Sequence, residues 1–250
     1  MTKFSFLMCV NRRVPFLASA IDSVLKQTNS DFLFYIIANN CDDDLWNFLS
    51  SYEDSRLRLH RTLVGQLSFN LNYGLNLIGD GYMLRMDADD ICLPNRLELT
   101  KKWLIDLNYP DVLGGEAILI DEHDVKIGYV RSPLENHVIR SLLWRKCPMI
   151  HPTCAINVKS ILILRGYLGG FMSEDYDLWL RASRDKNFIF QNIDEPLIRY
   201  RISKDQARGN RLGYSEVAGF MLREALLGSG IKFFIAAALG VFKRYLRAKH

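Results

Sequence analysis

The chain has 250 residues, 49% hydrophobic, 24% charged and 12% aromatic, with a formal net charge of +4. At roughly 100–200 residues per domain this is one large domain or two intimately joined ones, and the composition excludes a disordered chain, a collagen and a coiled coil. Cys9, Cys41, Cys92, Cys147 and Cys154 are odd in number, scattered and without a C-x-x-C pair, which argues against zinc and a disulfide framework and for free thiols in a reducing compartment.

Phe4–Val10 is a short apolar run and predicts a strand. Asn11, Arg12, Arg13 and Pro15 separate it from Ala18-Ser19-Ala20, so no export signal is read there. Pro15 opens a helix whose Leu17, Ile21, Val24 and Leu25 share one face. Residues 32–38 read as a second strand ending at Asn39-Asn40, 45–52 as a helix, 57–60 as a short strand and 68–78 as a helix. The uncharged stretch 62–79 is shorter than the roughly 20 apolar residues of a membrane span, and Gln66, Asn70, Asn72 and Asn76 interrupt it. Residues 81–86 form a further strand that runs directly into Asp87-Ala88-Asp89-Asp90. Strands apolar throughout, alternating with helices, indicate a parallel sheet covered on both faces, and ligands of such sheets bind at the carboxyl ends of the strands. Asn39-Asn40 and residues 87–90 both stand at such ends.

After Pro94 a helix is predicted to residue 107, then a hairpin of Val112–Ile120 and 125–130 around the polar turn 121–124. Residues 137–146 predict a helix, 153–156 a short strand, and Ser173-Glu174-Asp175 leads into an amphipathic helix over 176–184. A strand over 196–201 and a long helical region after Asp205 complete the body, in an order that is mixed and not regularly alternating.

Four features can carry chemistry. An acidic cluster such as 87–90 is often only a solvated turn or a helix cap, but carboxylates one residue apart at a strand's carboxyl end can also hold Mg²⁺ or Mn²⁺ beside substrate phosphates. Glu174-Asp175 follows Gly169-Gly170 at the start of a helix, where acids favour the first turn; the same placement suits a general base that reaches the proton it must take. His151 before Pro152 reads as a structural hydrogen-bonding group. Tyr176 and Trp179, three apart on one helix face, read as core. The fourth feature is the tail: residues 231–250 carry Lys232, Lys243, Arg244, Arg247 and Lys249 and no acid, leaving the rest of the chain near neutral. Projected as a helix, Ile231, Phe234, Ile235, Ala238, Phe242, Tyr245 and Leu246 fall on one side, with Phe233 the misfit. That pattern fits either an interfacial helix on anionic lipid or a helix docked on the protein itself or a dimer partner. A basic groove with interleaved aromatics is absent elsewhere, which speaks against nucleic acid.

Taken in order, Phe4–Val10, Leu25-Lys26-Gln27-Thr28, residues 36–43, Asp87-Ala88-Asp89-Asp90, Pro94, Gly169-Gly170-Phe171 and Glu174-Asp175-Tyr176-Asp177-Leu178-Trp179-Leu180-Arg181 resemble the family 2 glycosyltransferases of A-type fold, over about residues 4–205. Arg199-Tyr200-Arg201 with Gln206 resembles that family's closing strand and loop. The resemblance implies one Rossmann-like α/β nucleotide-diphospho-sugar transferase domain, its mostly parallel central sheet flanked by helices. Residues 1–95 would be the nucleotide-sugar half and 96–205 the acceptor half, with 206–250 a helical C-terminal region ending in the basic amphipathic tail.

By the same resemblance Asp89 ligates Mn²⁺ or Mg²⁺ on the donor diphosphate, and Asp87 contacts the ribose or the metal shell. Asp175 is the base that deprotonates the acceptor, with Glu174 supporting it or contacting the acceptor, and transfer proceeds with inversion. The resemblance also allows His151 an acceptor-side role near Asp175. Asn39 stands where the family usually carries a base-contacting Asp, in Ala38-Asn39-Asn40-Cys41 against the usual Asp-Asp-Gly-Ser, which leaves a UDP-, GDP- or dTDP-sugar open. Residues 66–74 keep Asn72 and Gly74 of the family's Gly-Leu-x-x-Ala-Arg-Asn-x-Gly but replace its Arg with Leu71, and Arg201 or Lys204 is the expected substitute cation. The implied enzyme moves a sugar onto a saccharide acceptor, lipid-linked, during lipopolysaccharide, capsule or exopolysaccharide synthesis. It would be cytoplasmic and peripheral at the inner membrane. A polyprenyl-phosphate sugar synthase and a non-catalytic transferase-like scaffold are the alternatives.

Overall fold

The computed structural model describes residues 2–202, 211–228 and 230–246, with side chains through residue 242. Four strands, β1 (Phe4–Val10), β2 (Leu33–Asn39), β3 (Leu57–Thr62) and β4 (Tyr82–Met86), lie parallel in the order β3-β2-β1-β4. Alternate residues of each strand point to opposite faces, and here both faces are buried. Phe6, Met8, Phe34, Ile36, Leu84 and Met86 pack with α1 (Leu17–Leu25), α2 (Asp43–Ser50) and α4 (Arg96–Asp106) on one side. Leu7, Ile37 and Met83 pack on the other with α3 (Leu67–Ile78), α6 (Val158–Ile163) and α7 (Glu174–Ala182). The expected parallel sheet between two helical layers is therefore present. Ala38 of β2 lies level with Val10 and Met86 of β4 with Met8, so Asn39 and Asp87 emerge at the same edge of the sheet, on either side of β1.

The second half adds β5 (Ile91–Cys92), β6 (Val112–Ile120), β7 (Lys126–Val130), β8 (Ala155–Asn157) and β9 (Phe190–Arg201), and the whole sheet runs β3-β2-β1-β4-β8-β6-β9-β5 with β7 on β6. The sheet is mixed here: β8 is antiparallel to β4 and β6, whereas β6 and β9 are parallel. Strand β9 begins six residues before the expected 196, because a break in register at Gly114–Glu116 accommodates its polar Asn192 and Glu195. A Cβ on Gly114 would meet Asn192 Oδ1 at 2.2 Å. Helix α5 (Asn136–Leu142) stops short of the expected 146, and the Arg145 and Lys146 amides bond back to the Leu142 carbonyl.

The helical region after Asp205 is two helices, α8 (Arg211–Leu226) and α9 (Ile231–Leu246). Helix α8 is tied to the body through charge: Glu216 accepts from the Phe171 and Met172 amides at 2.6 and 3.2 Å, and buried Asp177 lies between Arg181 at 2.7 Å and Arg223. Helix α9 packs on α8 through Phe233, Ala237 and Gly240, the last set against Ala218. Phe233, the misfit of the predicted stripe, is thus the docked residue. Ile231, Ile235 and Phe242 of that stripe are exposed, whereas Phe234, half-exposed, and Ala238 line a groove against Ser215, Ala218 and Leu222 of α8. Lys204, Gln206, Arg247 and Lys249, and the side chains of Lys243, Arg244, Tyr245 and Leu246, lie outside the described residues.

Candidate active site

Where β4 ends, Asp87, Asp89 and Asp90 present carboxylate oxygens that all lie within 4.8 Å of one another. Like charges so close disfavour ionisation, and burial adds to it. Burial first, then the Asp87 charge, pushes Asp89 up to about 6. Asp90 is fully buried and is raised well above the carboxylate range by burial, then by Asp87 and Asp89. Its Oδ1 accepts the Arg201 amide at 2.8 Å, but Oδ2 is buried without a hydrogen-bond partner. A hard divalent cation is the group that fits three oxygen donors, one of them orphaned, whose charges repel. Asp90, next in the same string, joins Asp87 and Asp89 as a candidate ligand that the sequence reading left out.

Two arginines frame this cluster. Arg201 is fully buried and lies 3.9 Å over the Phe16 ring, its guanidinium donating to the Asp89 carbonyl (2.8 Å), the Asp121 carbonyl (2.8 Å) and Asp124 Oδ1 (2.6 Å). It clamps the backbone of Asp89 to the hairpin tip, with its donors turned to protein oxygens. Arg85 was not anticipated; the signal was an Arg inside the otherwise apolar Tyr82–Met86. Its buried guanidinium donates to Asp87 and to the Met86 carbonyl, while Nε has no partner.

The second acidic motif opens α7. Glu174 is buried and Asp175 half-buried. Asp175 Oδ1 accepts the Tyr176 amide at 2.7 Å, and the Cys147 thiol approaches Oδ2 at 3.8 Å. A helix N-terminus favours negative charge, yet burial outweighs it: Asp175 is pushed up to about 6 and Glu174, with Asp175 beside it, up to about 7. The Asp87 charge is felt at both, so the two acidic motifs, far apart in sequence, come within electrostatic reach of one another in the fold.

The remaining predicted residues support these groups. Asn39 is buried at the end of β2, and its side-chain amide makes no hydrogen bond among the described residues. Asn72 holds the Tyr167 backbone, donating to its carbonyl and accepting from its amide, both at 2.8 Å. This clasp needs Gly166, at φ +67°, where a Cβ would meet Asn72 Oδ1 at 2.1 Å. Tyr167 Oη in turn lies 2.8 Å from His151 Nε2. Burial, with the Arg85 charge, keeps His151 well below its ordinary range and hence neutral; it packs edge-on against buried Trp179. Tyr176 is core as well, its hydroxyl on the Leu143 carbonyl at 2.7 Å. All five cysteines are free thiols, and no helix among the described residues is long and apolar enough to cross a membrane.

A fold with this sheet order and acidic strand end is that of the A-type transferases. The mannosyltransferase PcManGT of Pyrobaculum calidifontis, solved with GDP-Man and Mn²⁺, superposes with a TM-score of 0.66 over 98% of this chain and 74% of its own, at 12% identity. Residues 5–164 match the model of glycosyl transferase family 2, and the chain belongs to that family: it is a glycosyltransferase. It is 37% identical over 236 residues to the O-antigen biosynthesis glycosyltransferase WbnJ of Escherichia coli, covering 93% of this chain and 92% of that one. It is 26% identical to the UDP-Gal:alpha-D-GlcNAc-diphosphoundecaprenol beta-1,3-galactosyltransferase of Escherichia coli, over 86% and 81% of the two chains.

Proposed function

We propose that this chain transfers a sugar with inversion from a nucleotide-diphosphate donor to a lipid-linked saccharide, using Mn²⁺ or Mg²⁺, in the assembly of a surface polysaccharide such as lipopolysaccharide, capsule or exopolysaccharide. The observation that carries this reading is the pairing of an Asp87–Asp89–Asp90 cluster with a carboxylate, Asp175, raised to about 6 and within reach of the Asp87 charge. A base whose pKa lies near the working pH combines an available ionised form with the strength to take a proton. WbnJ and the galactosyltransferase named above, whose acceptor is a diphosphoundecaprenol-linked sugar, support the pathway and the acceptor class.

In this mechanism Asn39 offers its amide to the nucleobase, and Asp87 faces the ribose or the metal shell. Asp87, Asp89 and Asp90 would hold the cation; when bound, it supplies charge neutralisation for the leaving diphosphate. Arg201 acts as a positioning residue behind Asp89 and not as a phosphate ligand, since its guanidinium is turned to Asp89, Asp121 and Asp124. Asn72 likewise positions Tyr167. Asp175 takes the proton of the acceptor hydroxyl as its oxygen attacks the anomeric carbon, and the nucleoside diphosphate leaves from the opposite face. Glu174, buried beside it, supports the base or contacts the acceptor. The exposed apolar residues of α9, among them Ile231, Ile235 and Phe242, would rest on an anionic inner-leaflet surface.

The test is a transfer assay with UDP-, GDP- and dTDP-sugars and a lipid-linked saccharide. Asp89→Ala and Asp175→Asn should each lose about 100-fold or more while staying folded; full activity in either removes that residue from the mechanism. An Asp175→Asn enzyme that still glycosylates polyprenyl phosphate would favour a polyprenyl-phosphate sugar synthase, whose acceptor needs little base help. Truncation after Gly230 should abolish sedimentation with anionic vesicles.

A further inference from the structure

A cavity of about 610 Å³ lies between α7, α8, α9 and the turn after α5. It is separate from the carboxylate cluster but shares walls with Asp175. Ser173 and Tyr176, which flank the base, line it; so does Lys146, next to the Cys147 that touches Asp175. The interior is otherwise apolar, built from Trp144, Met172, Val217, Met221 and Leu239. Its volume is in the range of sites that engulf a sizeable ligand. Arg145 and Lys146 stand exposed at its wall, and neither has a carboxylate partner among the described residues. Leu239 belongs to α9, so the cavity continues toward the exposed stripe of that helix.

An apolar chamber beside the base, with two unpaired cations at the wall, matches one chemistry: a diphosphate esterified to a long hydrocarbon chain. We infer that this cavity is the subsite for the lipid-diphosphate end of the acceptor. Arg145 and Lys146 take the diphosphate, and the first part of the chain fills the space under Trp144 and Val217. The rest leaves along α9. This rests on the transferase reading above and adds to it where the acceptor enters. The geometry also gives a role to the ties of α8, through Glu216 to the loop before α7 and through Arg223 to Asp177 of α7: α8, with α9 packed on it, forms the chamber's outer wall.

Gly213 of α8 lines the cavity, and a Cβ there would meet only Ser173 Oγ and Met172 Cβ, at the ordinary contact distances of 3.6 and 3.7 Å. A side chain at 213 can therefore start without forcing the backbone, and Gly213→Trp adds bulk at the chamber wall. The experiment is titration calorimetry of the full chain with farnesyl diphosphate, farnesol and inorganic pyrophosphate, in EDTA to keep diphosphate off the acidic cluster. The native protein should bind farnesyl diphosphate at least tenfold more tightly than either fragment. Gly213→Trp should lose tenfold or more for farnesyl diphosphate, and the double variant Arg145→Ala/Lys146→Ala should lose as much while keeping its farnesol affinity. Both should bind nucleoside diphosphate with Mn²⁺ as the native protein does, which also reports that they are folded. Farnesyl diphosphate binding no tighter than pyrophosphate, or unchanged in both variants, overturns the inference and leaves the transferase reading intact. Unchanged lipid binding with an altered elution volume for Gly213→Trp would make the cavity an interface between copies, and the inference fails. If no nucleotide binds to any form, the transferase reading falls and the acceptor assignment with it.

Discussion

Replacing Asp175 with Asn removes a charge that the fold holds under strain, and the consequence for stability can be worked from its environment. Burial raises this carboxyl from an ordinary 3.8 to about 6. A difference of that size between folded and unfolded states corresponds to about 3 kcal/mol. The sign follows from proton uptake: between about pH 4 and 6 the folded state holds the proton more tightly than the unfolded chain, so native stability falls as pH rises through that window. Above it the full penalty is present; below it there is none. Asn keeps an acceptor for the Tyr176 amide and never ionises. Asp175→Asn should therefore be more stable than the native protein at pH 8, by up to about 3 kcal/mol, or roughly 6–12 °C in melting temperature for a chain of this size. The gain should vanish near pH 4. The assay is thermal unfolding from pH 4 to 8 in EDTA, followed by near-ultraviolet circular dichroism. A variant less stable than the native protein at pH 8, or equally stabilised at pH 4 and pH 8, would refute the reasoning.

Because Asp175 must be ionised to accept the acceptor proton, kcat/KM should rise with pH through about 6 and level off above it; a profile flat from pH 5 to 8 contradicts its role. Arg181→Leu leaves the buried Asp177 with Arg223 alone and frees the Leu164 and Gly166 carbonyls, so urea unfolding should show a loss of about 3–5 kcal/mol. Gly74→Ala would bring a Cβ within 2.4 Å of Leu7 Cδ1, where α3 crosses β1. It should cost about 1–3 kcal/mol in the same assay, partly recovered in the double variant with Leu7→Val.

The first half of the fold was legible because its signals are local. Strands such as Phe4–Val10 and Leu33–Asn39 are buried on both faces, hence apolar without alternation, and the Leu17, Ile21 and Val24 spacing betrays a one-faced helix. The second half depends on distant partners. Strand β9 carries Asn192, Asp194 and Glu195, tolerated only because β6 shifts register opposite them, and β5, two residues long, has no pattern at all. The site divides the same way. The acidic strand end and Glu174-Asp175 could be read as motifs, and the structure brings them within reach of each other's charge. The work of Asn72 and Arg201 could not, since both are turned to backbone and carboxylate groups about 80 or more positions away in sequence. Arg85 is a buried charge that becomes intelligible only beside Asp87. The tail shows why an apolar stripe does not name its partner: α9 docks through Phe233 and small residues, leaving the larger stripe exposed.

The central claim, a cation-assisted donor site at the end of β4, is tested most directly by calorimetric titration of UDP, GDP and dTDP, each with and without Mn²⁺, into the native protein and Asp89→Ala. The account predicts that one of these nucleotides binds only with Mn²⁺ present and that the variant loses this binding while melting as a folded protein. Binding that is equally tight without the metal, or unchanged in Asp89→Ala, would contradict it.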